Sequence, residues 1–330
     1  MRKIDYSYMK DEFGGDKNYK IEFLNKVITV GYTDKSAKQA IALFKIAKDL
    51  EKVYEKDIYD FNQSELEILL MSISSPTVSS LQAVKSIMDK YLLNAVDEKR
   101  SRYSVSPTLS IKRGKLKDLI FKDAQEKRLC TKKELYEAID SIANYQDKAL
   151  LICIWNGFYN KGYQMIRDAK KDCVNFDNRT ISMINSETGE EITIRLDDYD
   201  ITVLKLAIEE KSYIKSIERE YNYFDTEYLF KSYDIRKKIE REDFRITEQS
   251  IRDKIRKFQK DTGLMFATGI TIKISGDIYR LLEEYGYDTE YDHQTVAEYI
   301  EKNGLAYNYV NFYDNLQVLQ KKYQKELLSV

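Results

Sequence analysis

From Ile21 to about Ala95, apolar residues recur at helical spacing through FLNKVITV, AKQAIALFKIAKDLEKVY, SELEILLMSI and TVSSLQAVKSIMDKYLLNAV. That period commits the segment to amphipathic helices, because a half-buried strand would alternate instead. Four helices are the simple reading. Asp34 is placed to cap the second, and Asn62 or Ser64 the third, where Asn62 is followed three residues later by Glu65. Ser75-Pro76 separates the third helix from the fourth, since the residue before a proline avoids helical geometry. The first seventeen residues, with Gly14 and Gly15, read as an arm, and residues 18–100 as a small helical domain.

The periodicity fails over DEKRSRYSVSPTLSIKRGKLK, which is basic and holds the second of only two prolines, Pro107. Residues 101–117 therefore read as a linker. A basic linker can close around a rod-shaped polyanion, or it can be a plain solvated connection. A chain of 330 residues has room for a second core, and residues 118–330 supply one. Its helices TKKELYEAIDSIA, with Thr131 and Glu134 spaced for a cap, and QDKALLICIWNGF lead to RTISMINSETGEEITIRL. Two alternating runs around Thr188-Gly189 make that last segment a hairpin. Helices return at DITVLKLAIEEKSYI and continue to DNLQVLQKKYQKELL, with Gly263, Gly286 and Gly304 as stops. The expected fold is mainly α with a small antiparallel β-sheet, in two domains.

Composition excludes several classes. Hydrophobic residues make 43% of the chain and charged residues 33%, the balance of a soluble globular protein. No apolar run approaches the ~20 residues that span a bilayer, and the amino terminus lacks the apolar core of a signal peptide, so a cytoplasmic protein without a membrane partner is expected. Cys130, Cys153 and Cys173 suggest neither a disulfide framework nor a CxxC metal site, and Cys153 falls in a core helix. The single histidine, His293, lies in polar DTEYDHQT and reads as an exposed loop residue. No metal or cofactor is expected. Charge is close to balanced overall, but twelve basic residues face three acidic ones from Lys99 to Lys133, and five face one over RDKIRKFQK at 252–260. From Asp277 to Glu301 eight acidic residues face one basic. Such segregation produces a positive face, the footprint of a polyanion ligand.

The order of elements, a four-helix domain, a basic stretch, then TKKEL, ALLICIWNGF, AKKDCVNFDNRTISM and TGEEITIRL, resembles the tyrosine recombinase (phage integrase) family. Its most specific part is VNFDNRTISMINSETGEEITIRL, similar to the strand and hairpin segment of that family. The resemblance implies a helical core-binding domain, followed at 118–330 by a domain built like the family's catalytic one. That chemistry uses a tyrosine nucleophile surrounded by two arginines, a lysine and histidines. Each such cation stabilises the charge that builds on the phosphodiester oxygens, typically by ~10²-fold or more in rate.

Carried onto this sequence, those positions hold other residues. The first arginine falls on Tyr159 when aligned from the preceding helix, or on Gly162 when aligned back from the FDN turn. The hairpin lysine falls among Asn185, Ser186 and Glu187, with Glu187 replacing a cation by an anion. Counting back from Gly286 puts the His-x-x-Arg pair on Ile272 and Ser275, and the later histidine or tryptophan near Lys302. A tyrosine is available at Tyr307, Tyr309 or Tyr313, with Tyr313 the candidate remnant, though the chain has 27 tyrosines. A catalytic scaffold without catalysts is expected, hence no enzyme.

What such a scaffold keeps is its grip on duplex DNA. The expected contacts are Arg102, Lys112, Arg113, Lys115 and Lys117 in the basic stretch. In RDKIRKFQK they are Arg252, Arg256 and Lys260, with Lys254 and Lys257 in the same strip; in SSLQAVKSIMDKY they are Ser79, Ser80, Gln82 and Lys85. If Ile251, Ile255 and Phe258 face the core, Arg252, Arg256 and Lys260 share an exposed stripe. The chain is similar to the master repressors of SPβ-like temperate phages, which implies a sequence-specific DNA-binding repressor that maintains lysogeny. An active recombinase using Lys161 or Arg167, and a helical protein-interaction scaffold, are the alternatives. The last helix, with Leu316, Leu319, Tyr323 and Leu327, packs on its own domain or mediates self-association.

Overall fold

The computed structural model describes residue 13 and residues 18–28, 34–185, 189–216, 218–233, 244–264 and 267–328. The expected arm, residues 1–17, lies outside them apart from Phe13, which is buried in the first core. Two compact units divide at Gln125 and Glu126.

The first unit begins with α1 (Tyr19–Phe23), which runs into a π-helical turn at Leu24–Ile28. It continues as α2 (Asp34–Tyr54), α3 (Gln63–Ser72) and α4 (Val78–Asp97). The third start is capped as its spacing predicts: Asn62 Oδ1 accepts from the Glu65 amide at 3.0 Å, and the Glu65 carboxylate accepts from the Asn62 amide at 2.8 Å. Phe23, Phe44 and Tyr91 fill the core, with ring centroids 4.9–5.1 Å apart around Tyr91. Lys20 is buried there, its ammonium 2.6 Å from both Glu51 and Asp57.

The expected linker is a packed part of this unit. Pro107–Ser110 form a 3₁₀ turn, α5 spans Arg113–Leu119, and Ile111, Leu116 and Leu119 are buried in the first core. Three apolar side chains spaced through a basic segment suffice to fix it against α3 and α4, while its cations stay outside. A short α6 (Lys122–Lys127) follows.

The second unit opens with α7 (Lys132–Asp140), capped reciprocally by Thr131 and Glu134, and α8 (Tyr145–Trp155), buried throughout from Ala149 to Trp155. After α9 (Gln164–Asp168) come β1 (Val174–Asn175), β2 (Thr180–Ile184) and β3 (Glu191–Arg195), an antiparallel sheet in that order with Met183 opposite Ile192. Gly189 of the hairpin turn has φ +76°, whereas Thr188 lies outside the described residues. Helix α10 (Asp198–Glu209) then ends where the sequence pattern continues, because Lys211-Ser212-Tyr213-Ile214 turns into strand. β4 (Ser212–Ser216) and β5 (Arg219–Asn222) form a second, unanticipated sheet.

Helices α11 (Glu248–Thr262), α12 (Gly269–Tyr285), α13 (His293–Lys302) and α14 (Tyr309–Leu328) complete the unit. Gly263, Gly286 and Gly304 all have positive φ at the ends of the first three. His293 is exposed as expected, but opens α13 rather than lying in a loop. Helix α12 crosses α8 so closely that a Cβ on Gly276 would stand 1.9 Å from the Trp155 carbonyl oxygen. Of the α14 residues, Leu316, Leu319 and Tyr323 are buried in their own unit and Leu327 is exposed. No described helix is long and apolar enough to cross a membrane.

Candidate functional site

A cavity of about 590 Å³ opens in the second unit where four segments meet: the turn after α8, the β2–β3 hairpin, α12, and the stretch from the end of α13 to Tyr307. The turn is set by Gly157, whose φ of +101° lets the chain reverse beneath Arg280. It presents Asn156, Tyr159, Asn160 and Lys161 to the cavity. Tyr159 packs edge-on against Tyr163 at 5.1 Å, and Gly269 at the start of α12 fits under both rings. Burial raises the Tyr159 phenol above its ordinary pKa, with the Arg252 guanidinium opposing.

Helix α12 contributes Lys273, Asp277 and Arg280, one helical turn apart on one face, and the two cations and Tyr307 converge on the Asp277 carboxylate. The Asp277 carboxylate is 3% exposed and accepts from Lys273 Nζ at 2.6 Å, from the Tyr307 hydroxyl at 2.6 Å and from Arg280. Lys273 Nζ also reaches the Tyr307 oxygen at 3.0 Å, and Arg280 donates to the Trp155 carbonyl at 3.2 Å. Burial, and then the Asp277 carboxylate, push the Tyr307 phenol far above its ordinary range. The site thus holds two cations and a tyrosine hydroxyl, all turned onto an internal anion.

The sequence positions map onto this cavity unevenly. Tyr159 lines it, where the first alignment puts an arginine; Gly162, with φ +70°, does not. Ile272 and Ser275 face the wrong way: both are fully buried, Ile272 in the core and Ser275 bonded to the Cys130 amide and the Thr271 carbonyl. The count back from Gly286 falls on the core face of α12, while Lys273 and Arg280, on the cavity face, stand in no motif that would single them out. Lys302 is not among the lining residues; it pairs with Glu284, which is, at 2.6 Å. Tyr313 is displaced as well, its ring tilted against His293 at 4.2 Å and its hydroxyl donating to the Tyr291 carbonyl; of Tyr307, Tyr309 and Tyr313, it is Tyr307 that lines the cavity. Asn185 lines the cavity, whereas Ser186 and Glu187 lie outside the described residues. Lys161 lines it too, but Arg167 bonds the Ile246 carbonyl instead.

Asn156 is positioned from behind by Asp200, whose carboxylate accepts from the Asn156 amide at 3.0 Å and the Tyr136 hydroxyl at 2.7 Å. Burial, reinforced by Asp197, pushes the Asp200 carboxyl up to about 6 against an ordinary 3.8. A folded-state pKa above the unfolded one means that the native state binds the extra proton, so stability falls as pH rises from 3.8 to about 6. Thermal midpoints of the wild type should decline across that window, and Asp200→Asn should flatten the decline.

The expected DNA-contacting residues divide by exposure. Lys112, Arg113, Lys115 and Lys117 are all exposed around α5, and only Lys115 has an acidic neighbour among the described residues, Glu67 at 4.0 Å. Arg102 is exposed beside the Tyr103 ring. Ser79 and Ser80 are exposed at the start of α4 and Gln82 is half-buried; the Ser80 hydroxyl is engaged with Ser75 and Thr77. The Phe121 amide donates to the Ser75 carbonyl at 2.9 Å, which ties the end of the basic segment to that helix start. Lys85 is excluded, because it is buried and bonded to Asp89 at 2.8 Å.

On α11 the expected stripe is present, with Ile251, Ile255 and Phe258 buried and Arg252, Arg256 and Lys260 exposed. Arg252 pairs with Glu248 and Arg256 with Asp253. Lys254 is not part of the stripe; it is buried against Asp147 and over the Tyr213 ring.

Two family models cover most of the chain: "MrpR, N-terminal core-binding domain" over residues 16–97, and "MrpR, C-terminal catalytic domain" over residues 129–328. The chain belongs to the MrpR family. A relative from Bacillus subtilis (strain 168), the "SPbeta prophage-derived uncharacterized protein YopR", is 23% identical over 301 residues, 86% of this chain and 90% of that one. Among solved structures, XerA recombinase aligns over 93% of this chain and 98% of its own, at 11% identity and a TM-score of 0.40. A lambda integrase dimer bound to a COC' core site aligns over 88% and 96%, at 13% and 0.42. The first unit holds the segment matched to the family's core-binding domain, and the cavity lies in the segment matched to its catalytic domain.

Proposed function

We propose that this MrpR-family protein is a sequence-specific repressor that binds double-stranded DNA, of the kind that maintains phage lysogeny, on a recombinase scaffold that no longer cuts. The observation that carries this reading is Asp277. Strand cleavage by a tyrosine needs cations free to meet a phosphate and a hydroxyl able to lose its proton. Here both cations on α12 are already paired with one buried carboxylate, which also accepts a hydrogen bond from the Tyr307 hydroxyl, keeps that phenol protonated and would repel an incoming phosphodiester. The exposed cations of α5 and α11 are independent of that cavity and supply a backbone-contacting surface in each unit. The relative's prophage origin fits the same role.

A specific arrangement favours a second reading, an active recombinase: Lys273 reaches the Tyr307 hydroxyl directly, and Arg280 joins it through their shared partner, Asp277. Two assays separate the readings. A gel-shift screen of genomic fragments should find duplexes retarded in preference to others, with binding that weakens as salt rises. A nicked suicide substrate carrying the retained sequence should trap no covalent adduct. An adduct formed by the wild type and lost in Tyr307→Phe would replace the repressor reading with the recombinase one.

A further inference from the structure

The cavity holds a complete oxyanion-binding donor set that is occupied from within. Lys273, Arg280 and Tyr307 supply an ammonium, a guanidinium and a hydroxyl, all aimed at one small volume, and the atoms filling that volume are the two oxygens of Asp277. Tyr299 donates to the Asp277 carbonyl at 3.2 Å, so the residue is held by its backbone as well as its side chain. The remaining charges on the lining are Lys161 and Glu284, and Glu284 is engaged by Lys302. With Asp277 present the lining carries one positive charge in excess, and without it the excess doubles.

We infer that Asp277 is a built-in phosphate surrogate: its carboxylate occupies the place of a tetrahedral oxyanion, and removing it turns the cavity into a binding site for inorganic phosphate or sulfate. Two cations and a phenol converging within hydrogen-bond reach recognise oxyanions generally, because each donor gains most from a full negative charge. A carboxylate fixed four and three residues from its cations on the same helix is present at an effective concentration no free anion matches. The site is therefore closed in the wild type without any lid. This rests on and deepens the reading of the cavity as silenced, since the same residue that pairs with both cations also excludes oxyanions from them.

The test uses the full chain and inorganic phosphate, without DNA. Trp155 is the sole tryptophan, and its carbonyl bonds Arg280, so its fluorescence follows unfolding of this unit. Thermal unfolding of wild type, Asp277→Asn and Asp277→Ser is recorded as phosphate replaces chloride at constant ionic strength. The variants should gain a saturable phosphate-dependent rise in midpoint, with binding on the order of tenfold tighter than wild type. Adding Arg280→Met to either variant should abolish the gain. An equal response in wild type and variants, or none in folded variants, overturns the inference. If neither variant folds in chloride, phosphate should restore folding, and its failure to do so counts equally against it. Duplex binding by the wild type reports separately on the repressor reading.

Discussion

Gly276→Ala lowers the stability of the second unit by about 3 kcal/mol or more, a drop of roughly 6–12 °C in its thermal midpoint. The added Cβ would lie 1.9 Å from the Trp155 carbonyl oxygen and 2.9 Å from its carbon, and those are backbone atoms of a helix buried throughout from Ala149 to Trp155. No rotamer change relieves that overlap, so α8 and α12 must separate and the layer between them loses its packing. The site loses its geometry by the same movement, because Arg280 reaches the Trp155 carbonyl only across this crossing. Fluorescence of Trp155 reads the transition of this unit selectively. A midpoint within about 2 °C of wild type would show that the helices part without cost and that the crossing does not hold the cavity together.

Where local chemistry and tertiary structure agree, the sequence was readable. Asn62 with Glu65 and Thr131 with Glu134 carry both halves of a capping box within four residues, and both boxes form. The α11 stripe follows from the helical period alone. The failures share a cause, in that tertiary packing decides the outcome. Lys254 looks like any other lysine in a basic run, yet it is buried against Asp147, 107 residues away, and Lys85 stands on a part of α4 that packing buries, paired with Asp89 on the next turn. Ile111 and Leu116 are too few to show periodicity, so a packed segment reads as a connection.

The cavity's side chains were only partly legible in the sequence. Counting from the helix before the Asn-Gly turn reaches Tyr159, which does line the cavity, but the face of α12 cannot be fixed by counting from a glycine, since each residue of error rotates the assignment by about 100°. One residue separates core-facing Ile272 from cavity-facing Lys273, and two separate Ser275 from Asp277. Cations were expected to be missing; instead, two remain beside a tyrosine and are answered by an acid on the same helix.

Reversing Lys112, Arg113 and Lys117 to glutamate together should weaken duplex binding about 10²–10³-fold near physiological salt. The slope of log affinity against log salt should fall by roughly 3, one unit for each phosphate no longer neutralised. All three side chains are exposed, and among the described residues none forms an ion pair, so the fold should be untouched and unchanged circular dichroism is the control. Reversal at Arg252, Arg256 and Lys260 makes an independent comparison, with part of its effect offset because Glu248 and Asp253 already screen two of them. The loss should be uniform across duplex sequences, because phosphates carry no base identity. Gln82→Ala, at the α4 start tied to this segment, should instead alter the ranking of sequences. Unchanged affinity and slope in the α5 triple variant would remove the basic segment from the interface and leave α11 as the remaining backbone contact.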